Sequence, residues 1–433
     1  MKYPRLNNQL FIDNRKRFAA QMEPNSIAIF HSNYQYSWNG DAVYKFKQNS
    51  DIYWMCGIDQ EDSVLVLYPD CPIPEYRECL FLVETNEKIA VWEGYKYPKE
   101  DATTTSGIQQ IYWNDNYMQK LRPVINMAEN VYLPLNENDR ANPSSPMKQL
   151  DFARQMKDIY PLHNYKRAGI ILQRLRSIKN QFELEVMREA VNISKKGFMR
   201  ILKSTKPGMG EFEIEAELAH EFLSNRGSGF SFEPIVAAGK NACTLHYIDN
   251  RDIVKDGDLI LVDCGVDYAN YISDMTRCLP ANGKFSKRQT EIYNATLRVM
   301  KQSREKLLPG TMLMEYQKEV EGIMADELIG LGLLTKEDIK NQDPAWPAVK
   351  KYFMHGTSHF LGVDVHDSGM RYQPMQVGMA FSCEPGIYVP EEGIGVRIEN
   401  QILITENGPH DMMDEAGIPI EVEEIEELMK RQV

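Results

Sequence analysis

The spacing of hydrophobic and polar positions changes near residue 170 and divides the chain into two parts. Residues 1–170 alternate helical stretches with short apolar runs of strand length, each bounded by polar turn residues. These runs lie at 26–30, 63–68 and 79–83. The pattern predicts an α/β domain, in which the Pro- and Ser-rich segment 136–147 is a loop.

Residues 171–433 show helical periodicity that alternates with β-type runs. Asn180 with Glu183, and Ser286 with Gln289, have capping-box spacing, which predicts that a helix begins at each pair. Further helices are predicted at 211–224 and 312–331, and β runs at 232–238, 258–264, 271–279, 379–389 and 395–405. This order of elements predicts an α+β domain with an internal duplication, because two helices and a β-hairpin are followed by two more helices and a second hairpin.

The bulk properties limit the classes of function. The chain has 433 residues, more than one hydrophobic core usually organises, which favours two domains. Its net charge of −13 argues against a nucleic-acid partner, because phosphate backbones are bound by concentrated basic surfaces. The N-terminus is polar, no run reaches the roughly 18 apolar residues of a membrane span, and the seven cysteines are scattered. We therefore expect a cytoplasmic protein with reduced thiols and no membrane partner.

Two carboxylates in the first predicted hairpin indicate a site. Asp263 ends the apolar run 259–262, where a single buried carboxylate is costly unless it is paired or binds a metal ion. Asp274 follows eleven residues later in a second β-type run. A turn between Tyr268 and Ala269 would place the two acids opposite each other, about 5 Å apart.

The second predicted hairpin carries a similar pair. Glu384 and Glu399 oppose each other if the hairpin turns between Glu391 and Glu392, inside a Pro-Glu-Glu-Gly segment of turn composition. A single acid is most often a solvated surface charge, but two apolar hairpins that each carry an acid pair favour a shared site. Four inward carboxylates repel one another unless cations neutralise them, so a site for divalent metal ions is predicted.

Histidines accompany these acids. His355, His359 and His366 fall in one glycine-containing segment, and His246 lies in a Thr-Leu-His-Tyr segment. An isolated histidine is usually structural, whereas this cluster favours metal binding or proton transfer. The spacing leaves open whether His355 or His359 binds metal. One imidazole among carboxylates favours hard divalent ions, with Mn²⁺ first.

These segments together resemble the pita-bread metallopeptidases, and the aminopeptidase P family most closely. They occur in the family's order: Thr-Leu-His-Tyr at 244–247, LVDCG at 261–265, ISDMTR at 272–277, HGTSHFLGVDVHD at 355–367, CEPG at 383–386 and GVRIEN at 395–400. In the N-terminal half, QNSDIYWMCG at 48–57 is similar to the aminopeptidase P N-terminal domain. The resemblance implies an α/β domain at 1–170, for oligomerisation and substrate gating. It implies an α+β pita-bread catalytic domain with pseudo-twofold duplication at 171–433.

The resemblance also implies the metal ligands. Asp274 and Glu399 would bridge two divalent ions, Asp263 would bind one of them, and His359 with Glu384 would bind the other. Mn²⁺ is expected, with Zn²⁺, Co²⁺ and Fe²⁺ as alternatives. The implied reaction is release of the N-terminal residue from a peptide with proline second, by a hydroxide that bridges the ions. Glu384 would act as general base and then general acid.

Other residues match the family's substrate site. His246, His355 and His366 would surround the scissile bond, Arg397 would support the site, and Tyr388 would lie near the substrate. The proline ring would be held by Trp92, His355 and Tyr388.

Two further matches lie in the N-terminal half. Asp41 and Trp92 fall where the family has an acid and a tryptophan that reach the site of a neighbouring subunit. The family suggests a homodimer or homotetramer.

Several other functions remain to be distinguished. The nearest is prolidase, which performs the same chemistry on Xaa-Pro dipeptides. Creatinase-like enzymes lack the full ligand set, and methionine aminopeptidase lacks an N-terminal domain of this size. A non-catalytic pita-bread binding module would have lost ligands, and a structural metal protein would not need four histidines near the acids.

Overall fold

The chain forms two compact units in the computed structural model, which describes residues 3–138 and 145–430. One unit is Pro4–Arg176, and the other is 177–430 with Tyr3. The predicted loop at 136–147 lies partly outside the described residues, since 139–144 are not among them. Every helix in the described ranges is too short or too polar to cross a lipid bilayer. All seven cysteines are unpaired thiols, as predicted.

A six-stranded mixed sheet organises the first unit. The sheet contains β1 (Ser26–His31), β4 (Val64–Leu67), β5 (Glu78–Leu82), β6 (Gln110–Trp113), β7 (Asn130–Leu133) and β8 (Asn164–Arg167), and a separate hairpin is formed by β2 (Ser37–Asn39) and β3 (Ala42–Val43). The helices are α1 (Gln9–Ala19), α2 (Ser50–Cys56), α3 (Glu87–Glu93), α4 (Lys99–Ser106), α5 (Tyr117–Met127), α6 (Lys148–Ile159) and α7 (Ala168–Ser177).

The sheet has the strand order β6-β5-β4-β1-β7-β8. The three predicted apolar runs form β1, β4 and β5, and every residue of β1 and β4 is buried. Continuous apolar runs of this kind are typical of strands that are covered on both faces. The predicted α/β character of this part is confirmed.

The second unit combines long helices with split hairpins. Its helices are α8 (Gln181–Ser204), α9 (Glu211–Ser224), α10 (Lys287–Arg304), α11 (Leu313–Gly330), α12 (Lys336–Lys340), α13 (Met412–Ala416) and α14 (Val422–Lys430). Its strands are β9 (Gly229–Phe230), β10 (Ile235–Ala238), β11 (Leu259–Cys264), β12 (Val266–Tyr268), β13 (Tyr271–Ile272), β14 (Met275–Pro280), β15 (Ala380–Cys383), β16 (Gly386–Val389), β17 (Ile394–Arg397), β18 (Asn400–Thr405) and β19 (Gly408–Asp411).

The predicted duplication is present in this unit. Helices α8 and α9 precede the hairpin of β11 to β14, and α10 and α11 precede the hairpin of β15 to β18. Both predicted capping boxes form, at Asn180 with Glu183 and at Ser286 with Gln289, so helices α8 and α10 begin where expected. Each hairpin is divided between two small sheets, and these divisions position the predicted site residues.

Candidate active site

The first hairpin has a register that differs from the prediction. Its turn is the two-residue loop Ala269-Asn270, in which both residues have positive φ, 51° and 60°. Such a loop closes a hairpin whose strands twist in the usual sense. The turn therefore lies one residue beyond the predicted point, and Asp263 pairs with Thr276 rather than with Asp274. The predicted direct opposition of the two aspartates is wrong.

The second hairpin has the predicted register. Gly386 pairs with Arg397 and Val389 pairs with Ile394, which centres the turn between Glu391 and Glu392. The outer strands continue the same register, with Cys383 opposite Asn400. Glu384 and Glu399 consequently occupy opposed positions, one on each arm of the hairpin.

The four acids lie at the points where the hairpins divide. Asp274 directly precedes β14, Glu384 directly follows β15, Glu399 directly precedes β18, and Asp263 lies one residue before the end of β11. At the first division the strands cross closely, because a Cβ on Gly265 would lie 1.7 Å from the Ser273 carbonyl oxygen. Where each hairpin passes from one small sheet to the next, its irregular backbone directs the carboxylates toward a shared site between the sheets.

A loop ahead of β15 adds His359 to these acids. The backbone N–H of Ser382 donates to the His359 carbonyl at 2.9 Å, and the His359 N–H donates to the Ser382 hydroxyl at 3.0 Å. The His359 ring then lies with Nε2 3.2 Å from Glu384 Oε1 and 3.5 Å from Asp274 Oδ2. His366, whose ring is exposed, packs edge-on against His359 with 4.5 Å between centroids.

The donor atoms are suited to divalent cations. Ligand atoms of Asp274, His359 and Glu399 all lie within 4.8 Å of one another. Oδ1 of Asp263 and Oε1 of Glu399 are buried and accept no hydrogen bond from the described residues. A buried carboxylate oxygen without a donor is costly unless a cation lies against it. Oxygen donors with one imidazole fit hard or borderline divalent ions.

Arg397 connects the acids to a second group of residues. Its guanidinium donates to Asp263 Oδ2 at 2.6 Å, to Tyr388 Oη at 2.8 Å and to Thr276 Oγ1 at 3.2 Å. Tyr388 is fully buried, and its hydroxyl lies 2.8 Å from His355 Nε2. His355 is thus hydrogen-bonded to Tyr388, which accepts from Arg397, whereas His359 lies beside Glu384 and Asp274. Burial lowers the pKa of His355 to about 4, so its ring is neutral near neutral pH.

Thr276 is a site residue that sequence reasoning missed. Its hydroxyl donates to Glu399 Oε2 at 2.8 Å and accepts from Arg397, and its carbonyl accepts from the Glu399 N–H at 3.1 Å. The missed signal was the period-two spacing from Asp274 to Thr276, which places both side chains on one strand face.

The acids strongly perturb one another. Burial raises the pKa of Asp263, and burial with neighbouring carboxylates raises the pKa values of Asp274 and Glu399 well above the ordinary range. Burial acts in the same direction on Glu384, but the hydrogen bond and charge of His359 lower its pKa to about 2. Burial lowers the pKa of His359, yet the adjacent acids raise it above its ordinary value. Bound cations would hold all these acids in the ionised form.

A pH dependence follows for protein from which divalent ions have been chelated. Asp263, Asp274 and Glu399 have folded-state pKa values above their unfolded values, as does His359, so the folded chain binds more protons than the unfolded chain in the pH range above the ordinary carboxyl pKa values. Stability is therefore expected to fall as pH rises through this range. The lowered pKa of Glu384 has the opposite effect, since it makes stability rise with pH, but this effect is confined to pH values below the ordinary pKa of a glutamate.

Thermal unfolding at several pH values, with and without chelator, measures this effect. The gap in Tm between metal-loaded and chelated protein is expected to widen toward pH 8. A gap that narrows as pH rises would contradict the assignment of these acids to one crowded site.

Three predicted site residues lie outside this group of contacts. His246 is exposed in the segment that follows the 3-10 helix Gly239–Cys243. In the first unit, Asp41 is exposed in the tight turn between β2 and β3. Trp92 lies in α3 and is 90% exposed, so its indole is available to a partner.

A buried ion pair anchors the histidine loop. Lys179 Nζ lies 2.7 Å from Asp367 Oδ2, and the two side chains are 1% and 0% exposed. Asp367 directly follows His366, and its N–H donates to the Phe360 carbonyl at 3.0 Å. The pair thereby ties the residues before α8 to the loop that carries both histidines.

Replacing Lys179 with Met is expected to lower the free energy of unfolding by about 3–5 kcal/mol, because it removes one partner of a buried ion pair. Urea unfolding measures the change. Arg188→Met is the control, since Arg188 pairs with Glu415 at the surface and such pairs contribute about 1 kcal/mol or less. Equal losses of unfolding free energy in the two variants would show that the Lys179 pair contributes no more to stability than a surface ion pair.

Comparisons with known proteins identify the family of this chain. Residues 185–406 match metallopeptidase family M24, and residues 11–132 match the aminopeptidase P N-terminal domain. The Xaa-Pro aminopeptidase of Haemophilus influenzae is 32% identical over 437 residues, covering 98% of each chain. The solved aminopeptidase PepP of Pseudomonas aeruginosa is 32% identical, with a TM-score of 0.89 over 99% of each chain. Escherichia coli aminopeptidase P with the inhibitor Pro-Leu is 30% identical, with a TM-score of 0.86 over 99% of each chain.

These likenesses confirm the predicted resemblance and its fold, an α/β N-terminal domain followed by an α+β pita-bread domain. They also confirm a hydrolase of the metallopeptidase type, which works with divalent metal ions. The chain therefore belongs to metallopeptidase family M24 and carries the N-terminal domain of its aminopeptidase P branch.

Proposed function

We propose that this chain is an aminopeptidase that releases the first residue from peptides with proline at the second position. The observation that carries the proposal is the cluster of Asp274, His359 and Glu399, which adjoins Asp263 and Glu384, in a member of this peptidase family. Relatives that match nearly the whole chain are named Xaa-Pro aminopeptidases.

Prolidase is the less favoured alternative. The Escherichia coli relative was solved with Pro-Leu, which is what remains of an Xaa-Pro-Leu peptide after its first residue leaves. A dipeptidase that acts on Xaa-Pro would instead release free proline as its second product. This comparison supports release from longer peptides.

The five clustered residues would hold two divalent ions, with Mn²⁺ first and Zn²⁺, Co²⁺ or Fe²⁺ as alternatives. Asp274 and Glu399 would be shared by both ions, Asp263 would belong to one, and His359 with Glu384 to the other. The two buried oxygens on Asp263 and Glu399, which accept no hydrogen bond within the described part of the chain, support this assignment. When bound, such ions lower the pKa of water and polarise a carbonyl group.

Glu384 is proposed as the proton carrier. The bound cations would keep its carboxylate ionised at neutral pH and able to accept a proton from the attacking water. The Ser382 hydroxyl, 3.2 Å from Glu384 Oε1, orients the carboxylate. Glu384 then delivers the proton to the departing proline nitrogen, which leaves as an amine when the C–N bond breaks.

The histidines are proposed to surround the scissile bond. His246 or His366 would donate a hydrogen bond to the oxygen of the first residue's carbonyl as negative charge develops there. The substrate's free α-amino group would bind near the acids and restrict cleavage to the first bond. His355 would line the proline pocket, and the buried Tyr388 and Arg397 would hold its ring in place.

The N-terminal domain is proposed to serve in oligomerisation and substrate gating. The exposed side chains of Asp41 and Trp92 are available to reach the site of a neighbouring subunit in a homodimer or homotetramer. The cytoplasm is the proposed compartment.

A three-substrate assay tests the proposed function. Purified protein with Mn²⁺ is offered Ala-Pro-Leu, Ala-Pro and Ala-Ala-Leu, and products are identified by mass spectrometry. We expect alanine and Pro-Leu from the first peptide and little product from the third. Cleavage of Ala-Pro alone would identify a prolidase, and equal cleavage of both tripeptides would remove the proline selectivity.

A further inference from the structure

The carboxylate of Glu211, at the first residue of α9, is fully buried and receives four hydrogen bonds. Its Oε1 accepts from the Ala238 N–H at 2.8 Å and from Asn241 Nδ2 at 3.0 Å. Its Oε2 accepts from Tyr247 Oη at 2.7 Å and from the Asp252 N–H at 2.9 Å. The side chain is 0% exposed, so water does not compete for these bonds.

All four donors belong to one segment, residues 238–252, which carries His246. Two donors precede His246 and two follow it, so the carboxylate closes the segment into a loop around a single acceptor group. The Glu211 N–H also donates to the Asp252 carbonyl at 2.9 Å. Burial and the bond to Glu211 raise the pKa of Tyr247 to about 12, which keeps its hydroxyl a donor.

The same segment lies against β17, the strand that ends at Arg397. A Cβ on Gly395 would lie 2.3 Å from the Ala242 carbonyl oxygen, and Cys243 Sγ lies 3.5 Å from the Ile394 carbonyl oxygen. The loop is therefore held between Glu211 on one side and a strand of the acid cluster on the other. The His246 side chain is exposed while the backbone on both sides of it is fixed.

We infer that Glu211 is a positioning residue, which holds His246 in place for the reaction without touching the substrate. This inference rests on the proposed function, because it gives His246 a task at the scissile bond. A carboxylate is required because all four partners are donors, and only a carboxylate accepts on both oxygens. In either orientation, the amide of a glutamine would turn its NH₂ group toward one of the two backbone N–H donors.

Glu211→Gln is the test variant, and Glu213→Gln is its matched control. Glu213 lies on the same helix turn and caps it, since its Oε2 accepts from the Gly210 N–H at 2.6 Å. Turnover of Ala-Pro-Leu is measured for both variants, each with and without His246→Ala. We expect Glu211→Gln to lower kcat/KM about 10- to 100-fold with His246 present. With His246→Ala already in place, the further loss is expected to stay within about threefold.

A merely structural role would give the same fold loss in both backgrounds, and that result would overturn the inference. An unchanged rate in Glu211→Gln or in His246→Ala would also overturn it. Tyr247→Phe, which removes one of the four bonds, should show the same dependence on His246 with a smaller loss. This milder variant decides the question if Glu211→Gln does not fold.

Hydrogen exchange supplies a readout that does not depend on activity. The backbone amides of 238–252 should exchange faster in Glu211→Gln and remain protected in Glu213→Gln. Unchanged exchange would overturn the inference even if activity fell. If wild-type protein does not cleave Ala-Pro-Leu, the proposed function fails and with it the task of His246. Exchange then still decides whether Glu211 holds the segment.

Discussion

Glu384→Gln is expected to lower kcat for Ala-Pro-Leu by about 10³-fold, near the middle of the range for losing a general acid–base. An amide cannot accept the proton of the attacking water or pass it to the proline nitrogen. Its carbonyl oxygen can still face a cation, so the bound metal is expected to remain. Initial rates together with metal content by mass spectrometry measure both effects.

Glu391→Gln is the matched control, because Glu391 lies exposed at the turn of the same hairpin. Its rate should stay within about twofold of wild type, as expected for a surface substitution. If Glu384→Gln retains most of its activity, the proton transfers do not pass through this carboxylate. If it loses the metal as well, the variant cannot separate binding from proton transfer, and Glu384→Asp then distinguishes them by its remaining carboxylate.

Asp274→Ala is expected to have the second large effect, a loss of turnover of about 10³-fold or more together with loss of bound metal. Asp274 is the proposed shared ligand, and metal-ion catalysis contributes several kcal/mol of transition-state stabilisation. In the absence of metal, the same substitution should raise stability at pH 8. Burial and nearby acids raise the pKa of Asp274, so its ionised form is unfavourable in the folded chain.

Opposite changes in activity and stability would mark Asp274 as a residue kept for function. Activity assays and thermal unfolding of chelated protein at pH 8 measure the two changes, with the exposed Asp249 replaced by Ala as control. If chelated Asp274→Ala were less stable than chelated wild type, Asp274 would serve the fold itself.

Much of the fold could be predicted because the local signals agree with the final structure. The capping boxes at Asn180 and Ser286 mark where α8 and α10 begin, and the apolar runs of the first unit become buried strands. The second hairpin was placed correctly because Pro390 to Gly393 forms a turn at the midpoint between its acids.

The first hairpin was misplaced because its turn uses Ala269 with positive φ, a conformation that alanine rarely adopts. The prediction placed the turn midway between Asp263 and Asp274. In the structure, the pairing of β11 with β14 places Asp263 opposite Thr276. The hairpin also divides at Gly265, where the strands come too close for any side chain. The sequence did not reveal this division, so the role of Thr276 went unnoticed.

The histidines show a different limit. Sequence spacing could not separate His355 from His359, because both lie in one segment four residues apart. In the structure, His359 lies beside Glu384 and Asp274, while His355 is bonded to Tyr388. The distinction depends on pairing of the His359 backbone with Ser382, which is a tertiary contact.

The proposed function requires that the clustered acids and His359 hold two ions and that the reaction uses both. Chelated wild-type protein is titrated with Mn²⁺ while the rate of Ala-Pro-Leu cleavage and the bound Mn²⁺ per chain are followed together. We expect no measurable rate in chelator, and a rate that reaches its plateau when two ions are bound per chain. Undiminished cleavage in chelator, or a full rate with a single bound ion, would contradict it.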